Sequence, residues 1–248
     1  MPATYGGNKA GAFVLGVDGC RAGWVCVRLN VPDMTTAAFL APSFAALLAG
    51  AGAEAAMIIV DMPIGLAETG RRACEREARK RLSPLRHSSV FSTPRRPMLA
   101  FGAYEEANDW GKRQGEEAGG GLSKQAWMIT PKIREIDDAI APADQTRLAE
   151  GHPEIAFWRL NGEQPCRHSK RASEGAQERL ALLKQHGIAA AEKHYEDLRR
   201  ENGAGIGRDD VYDACALALT AKARLDGSAI HLTDGRKDAR GLVMEIWG

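Results

Sequence analysis

Phe13–Leu29, FVLGVDGCRAGWVCVRL, has the pattern of two strands joined by a tight turn. Phe13, Val14, Leu15 and Val17 form a near-continuous apolar run, as in a strand covered on both faces. Gly19 and Gly23 bracket a reversal where backbone freedom is needed, and Trp24–Leu29 runs back as a second strand. One carboxylate, Asp18, ends the apolar run. A buried aspartate on a central strand is costly unless something compensates its charge. Two roles stay open for it: a group of the site chemistry, or a cap bonding the amides of Cys20 or Arg21.

Working outward, Val31–Asp33 reads as a turn and Thr35–Leu40 as a third strand, so three strands joined by short turns are antiparallel. Pro42 opens an Ala/Leu-rich helix over 43–52. Ala56–Asp61, AMIIVD, is a second buried strand that also ends in an aspartate, and Pro63 then stops it. In a partly parallel sheet, the carboxyl ends of the strands are where ligands gather.

Residues 67–150 change character and predict a mainly helical insertion. Its Arg71–Arg96 segment holds nine Lys/Arg against two acids, a local balance of +7 that leaves −6 elsewhere in a chain of net charge +1. That overall charge gives no global signature of nucleic-acid binding, so such a reading rests on local patches. The string His87–Arg95, HSSVFSTPR, is rich in donors and has no carboxylate. Gly115–Gly121 reads as hinge-like, and Pro131 opens a helix with Ile133 and Ile136 on one face. Glu150–Phe157 predicts a return to the sheet, with Glu154 either pointing toward the edge of the two aspartates or standing as a surface glutamate at the strand end. Helices follow over 173–186 and about 189–201, and edge strands over 228–232 and 241–247.

The last helix starts at Asp209, DDVYDACALALTAKARL. Asp209 and Asp210 fit the start of a helix, through capping and the favourable dipole term. Asp213 lies a turn further in among residues that seek burial, and like charges at this spacing repel without a cation. If Asp18, Asp61, Asp210 and Asp213 converge, they offer oxygen ligands only, a set suited to Mg²⁺ or Mn²⁺. Two such ions about 4 Å apart serve phosphodiester cleavage.

The chain has 248 residues, enough for one α/β domain with an insertion, and the predicted boundaries are 12–248 with a flexible segment at 1–11. Five scattered cysteines without a CxxC pair indicate a reducing compartment. No secretory pattern and no apolar run near ~20 residues is present, so a cytoplasmic protein that does not enter membranes is expected.

GVDGCRAGWV, IVDMPIGL, SSVFSTPRR, SKQAW…KIREID, HPEIAF and DDVYDACALALTA, in this order over about 12–225, resemble the DUF429 family, described as predicted nucleases of the ribonuclease H-like fold. The resemblance implies an α/β, ribonuclease H-like mixed sheet, with three antiparallel strands followed by parallel ones, flanked by helices. It implies that Asp18, Asp61, Asp210 and Asp213 are catalytic and metal-binding, with Asp210 and Asp213 like the acidic pair on the last helix of Holliday-junction resolvases. Asp61 departs from those resolvases, which carry glutamate at that place. Glu154 and Asp209 are additional candidate acids. Ser88, Ser89, Arg95, Gln125 and Lys132 are candidate substrate-binding residues. The expectation is a Mg²⁺- or Mn²⁺-dependent nuclease acting on nucleic acid. The alternatives are an actin/hexokinase-like nucleotide-binding phosphotransferase and a non-catalytic binding module.

Overall fold

A computed structural model describes residues 12–248, so the expected flexible segment at 1–11 lies outside the described residues. Strands β1 (Phe13–Cys20), β2 (Gly23–Asn30) and β3 (Thr36–Ala41) form an antiparallel meander. Helices α1 (Phe44–Ala49) and α2 (Ala51–Glu54) lead to β4 (Met57–Asp61), which pairs parallel with β1. The single helix expected over 43–52 is thus two, divided at Gly50. Ser43 caps the first by accepting the Ala46 amide at 3.1 Å.

Between β4 and β5 the described residues form helices and turns without a strand: α3 (Ala73–Leu82), α4 (Tyr104–Arg113), α5 (Lys124–Met128) and α6 (Thr130–Ala139), with short 3₁₀ turns among them. Pro131 does open α6, and Ile133 and Ile136 are its buried face. A small core of Met98, Ala107, Leu122 and Ala126, flanked by Phe91, Phe101, Trp110 and Trp127, holds part of this insertion together.

β5 (Leu148–Glu150) joins parallel to β4, giving a five-stranded mixed sheet in the order β3-β2-β1-β4-β5, flanked by helices. The return to the sheet is shorter than the sequence predicts. After Glu150 the chain enters helix α7 (Pro153–Leu160), because Pro153 suits a first helical turn and His152 Nδ1 accepts the Glu154 amide as the cap. Helices α8 (Ser173–Gln185), α9 (Ala191–Asn202) and α10 (Arg208–Asp226) follow. The C-terminal strands β6 (His231–Lys237) and β7 (Val243–Trp247) are not edge strands of the main sheet. They pair with each other, and one bridge, Gly151 to Trp247, links them to its β5 side.

Side-chain alternation sorts β1 between two core layers. Phe13, Leu15 and Val17 face a layer with Trp24, Phe44, Ile58, Val60 and α6. Val14 faces the opposite layer, shared with Met57, Ile59 and the long helix α10. Position 18 has the parity of Val14, and position 61 that of Met57 and Ile59. Both aspartates therefore belong to the face that α10 covers. From Val211 to Ala221 every α10 side chain is buried, and the run is rich in alanine, so the helix axis lies close to the sheet.

No helix among the described residues is long and apolar enough to cross a membrane. All five cysteines are buried free thiols.

Candidate metal centre

Asp18 and Asp61 are direct partners in the parallel ladder between β1 and β4. Parallel partners in register project to the same face, so the two carboxylates are neighbours by construction. From above, α10 contributes Asp213, one turn beyond the helix start. One oxygen from each of Asp18, Asp61 and Asp213 lies within 4.8 Å of the others. Opposite ligands of an octahedral Mg²⁺ are about 4.2 Å apart, from Mg–O bonds near 2.1 Å. Of three ligands at most one pair is opposite and the others are neighbours about 3.0 Å apart, so the oxygens would draw together where one ion binds all three.

Asp18 is 7% exposed, and its carboxylate accepts no hydrogen bond from any described protein group. The turn amides of Cys20 and Arg21 do not cap it. Burial, then the charges of Asp61 and Asp213, push its carboxyl well above the ordinary aspartate range. Burial followed by the Asp213 charge pushes Asp61 up to about 8. Asp213 is raised as well, chiefly by burial, with Lys170 pulling the other way. Three desolvated carboxylates in one place form a site that favours a hard divalent cation, and the donor set is all oxygen.

The three aspartates border a cavity of about 490 Å³ that residues of the insertion also line. Ser88, Ser89 and Gln125 line it. Glu154 and Asp210 also line it, with other first duties. The Glu154 carboxylate is ion-paired with Arg179 of α8. Asp210 Oδ2 accepts the Gly207 amide at 2.7 Å, so it closes the start of α10, and burial raises it to about 6. Neither belongs to the triad of converging oxygens. Asp209 stands 3.5 Å from the Lys170 ammonium and is not part of the triad.

Arg95 and Lys132, expected among the substrate-binding residues, have other partners in the structure. The Arg95 side chain is buried, donates to the carbonyls of Ala118 at 2.6 Å and Gly120 at 2.7 Å, and packs on Trp110. It locks the Gly115–Gly121 segment, which is a pinned turn rather than a hinge. Lys132 pairs with Glu135 at 3.2 Å and lies over the Trp24 ring. Much of the basic run is spent in the same manner. Arg72 is buried against Glu150, Arg79 binds the Val90 carbonyl and Ser92, and Arg96 bridges Asp137 and Asp238. Guanidinium groups suit such internal carbonyl and carboxylate contacts because of their planar fork of donors.

Two groups of the site carry no strong signal in the sequence. Lys170 enters from the segment before α8 and places its ammonium 2.6 Å from Asp213 Oδ2. In sequence it lies in RHSKR, which reads as a solvated basic cluster. His152 lines the cavity, half-buried, and is lowered to about 4, mainly by desolvation. It is neutral at pH 7, and because Nδ1 accepts the Glu154 amide, its proton resides on Nε2.

The acid cluster has a consequence for stability. Asp61 titrates near 8 in the folded protein, against about 4 in an unfolded chain. Between these values the unfolded chain has lost a proton that the fold retains, so stability falls as pH rises. His152 acts in the opposite sense, but only between about 4 and 6.5. In EDTA, the protein is therefore expected to lose about 2 kcal/mol between pH 6.5 and 8, at ~1.4 kcal/mol per pH unit for one group. Urea denaturation at the two pH values measures this, and Asp61→Asn should lessen the slope, with Glu150, raised to about 7 by burial, and Asp18 keeping part of it. Stability that rises across this window would contradict the burial of the charge.

A family model described as "Protein of unknown function (DUF429)" matches residues 16–238. No curated protein matches the chain, and no solved structure does.

Proposed function

The chain belongs to the DUF429 family, and from that membership together with the acid cluster we propose that it is a divalent-metal-dependent phosphodiesterase acting on nucleic acid, built on a ribonuclease H-like sheet. The observation that carries this reading is the meeting of Asp18, Asp61 and Asp213 oxygens within 4.8 Å at the carboxyl ends of β1 and β4. The strand order and the acidic last helix support the ribonuclease H-like comparison. The described residues hold one five-stranded sheet and no second copy of it, which gives the duplicated phosphotransferase architecture no support.

Asp18, Asp61 and Asp213 would hold Mg²⁺ or Mn²⁺. When bound, the metal supplies activation of a water nucleophile and stabilisation of charge developing on the phosphate. The protein's own groups do the positioning. Asp18 and Asp61 are fixed by the sheet register, and Asp213 by the docking of α10. Lys170 offers N–H donors beside the carboxylates. Ser88, Ser89 and Gln125 present hydroxyl and amide groups from the insertion. At about 490 Å³ the cavity has the size of a small-molecule site. It suits one nucleotide unit around the reacting phosphate better than a length of duplex.

The test is cleavage of single-stranded DNA, duplex DNA, RNA and a branched junction with Mn²⁺ or Mg²⁺, and with EDTA as control. Metal-dependent cleavage of at least one polymer is expected. Absence of cleavage of all four in both metals would remove the proposal.

A further inference from the structure

Resting on the phosphodiesterase reading, we propose that Lys170 is a built-in cation occupying the place of a second metal, so that the site takes one divalent ion per chain rather than two.

The first support is the asymmetry of the triad. Asp213 has a direct cationic partner, the Lys170 ammonium at 2.6 Å, and the same ammonium stands 3.5 Å from Asp209. Asp18 and Asp61 have no ion-pair partner and accept no hydrogen bond among the described residues. Hence the half of the cluster on the sheet calls for a cation, while the half on the helix already has one. Three carboxylates carry three negative charges. Within the triad one ammonium and one divalent ion balance these charges, while Asp209 lies 3.5 Å from the same ammonium and Asp210 closes the helix start.

The second support is that Lys170 is held rather than loosely placed. Its segment is fixed from three directions. Arg86 of the insertion donates to the carbonyls of Cys166 at 3.0 Å and Arg167 at 2.8 Å. Glu178 of α8 accepts the amides of Arg167 at 2.8 Å and His168 at 3.0 Å. Arg179 reaches the His168 carbonyl at 3.2 Å while pairing with Glu154. A glycine, Gly175, lets α8 come against this segment, since a Cβ there would collide with the Ser169 carbonyl. An ordinary surface lysine has no such support. The side chain is still 38% exposed and lines the cavity.

Counting ions tests the inference without reference to activity. Bound Mn²⁺ is measured by electron paramagnetic resonance of the free ion during titration of the wild type, Lys170→Met and Lys170→Arg, with circular dichroism to verify folding. One Mn²⁺ per chain is expected for the wild type and Lys170→Arg, and two for Lys170→Met. Two ions in the wild type, or one in a folded Lys170→Met protein, would overturn the role of Lys170 while leaving the phosphodiesterase reading intact. No bound Mn²⁺ in any of the three would remove both. If Lys170→Met does not fold, the wild-type count alone decides between one ion and two.

Discussion

Asp18→Asn is expected to abolish Mn²⁺-dependent cleavage, by roughly 10³-fold or more, equivalent to at least about 4 kcal/mol of barrier. The reason is geometric. Asp18 is a buried carboxylate without a protein donor, paired across the ladder with Asp61 and under α10. The amide keeps the shape but removes the charge and one anionic oxygen, so a hard cation loses a ligand that nothing nearby replaces. The same substitution should raise the stability of the metal-free protein at pH 8, because a buried ionisable group with two acidic neighbours becomes neutral. Cleavage kinetics and urea denaturation of one preparation measure the two effects. Full activity in the asparagine variant, or a destabilised metal-free protein, would contradict the proposed role. The combination of lost activity and gained stability separates a metal ligand from a structural residue, whose loss lowers both.

Gly16→Val should be the most damaging change in the first strand, costing at least about 3 kcal/mol. Gly16 is not there for a turn. A Cβ built on it would fall on the Ala214 carbonyl oxygen and the Ala218 amide and lie 2.7 Å from the Leu217 carbonyl carbon, all backbone of α10. The sheet and its last helix touch main chain to main chain at this point, two residues before Asp18. A side chain there forces α10 outward and carries Asp213 away from the strand-end aspartates. Denaturation should show the loss of stability, and Mn²⁺ titration a weaker site in whatever folds. A variant as stable as the wild type would mean that α10 does not pack so closely.

Much of the framework is legible in the chain itself. The apolar runs ending in Asp18 and Asp61, the short turns of the meander, the Pro131-led helix and the acidic start of α10 are local patterns, and each appears where its pattern predicts. Glu150–Phe157 is the instructive failure. Its apolar content suits a strand or a buried helix equally, and the cap from His152 with Pro153 behind it decides for the helix. Arg95 and Lys132 show the limit of reading charge from sequence. An arginine in a donor-rich string looks ready for phosphate, yet the carbonyls of Ala118 and Gly120 claim Arg95 inside the insertion.

Strand and helix periodicities and caps act over a few residues, so many of the elements, and the acids they carry, can be read from the chain alone. Which acids meet, and what neutralises them, is set by how the elements pack. The β1–β4 register joins Asp18 to Asp61, the bare backbone at Gly16 lets α10 bring in Asp213, and a segment more than a hundred residues from Asp61 delivers Lys170. Such contacts depend on packing between distant parts of the chain, which no local pattern encodes.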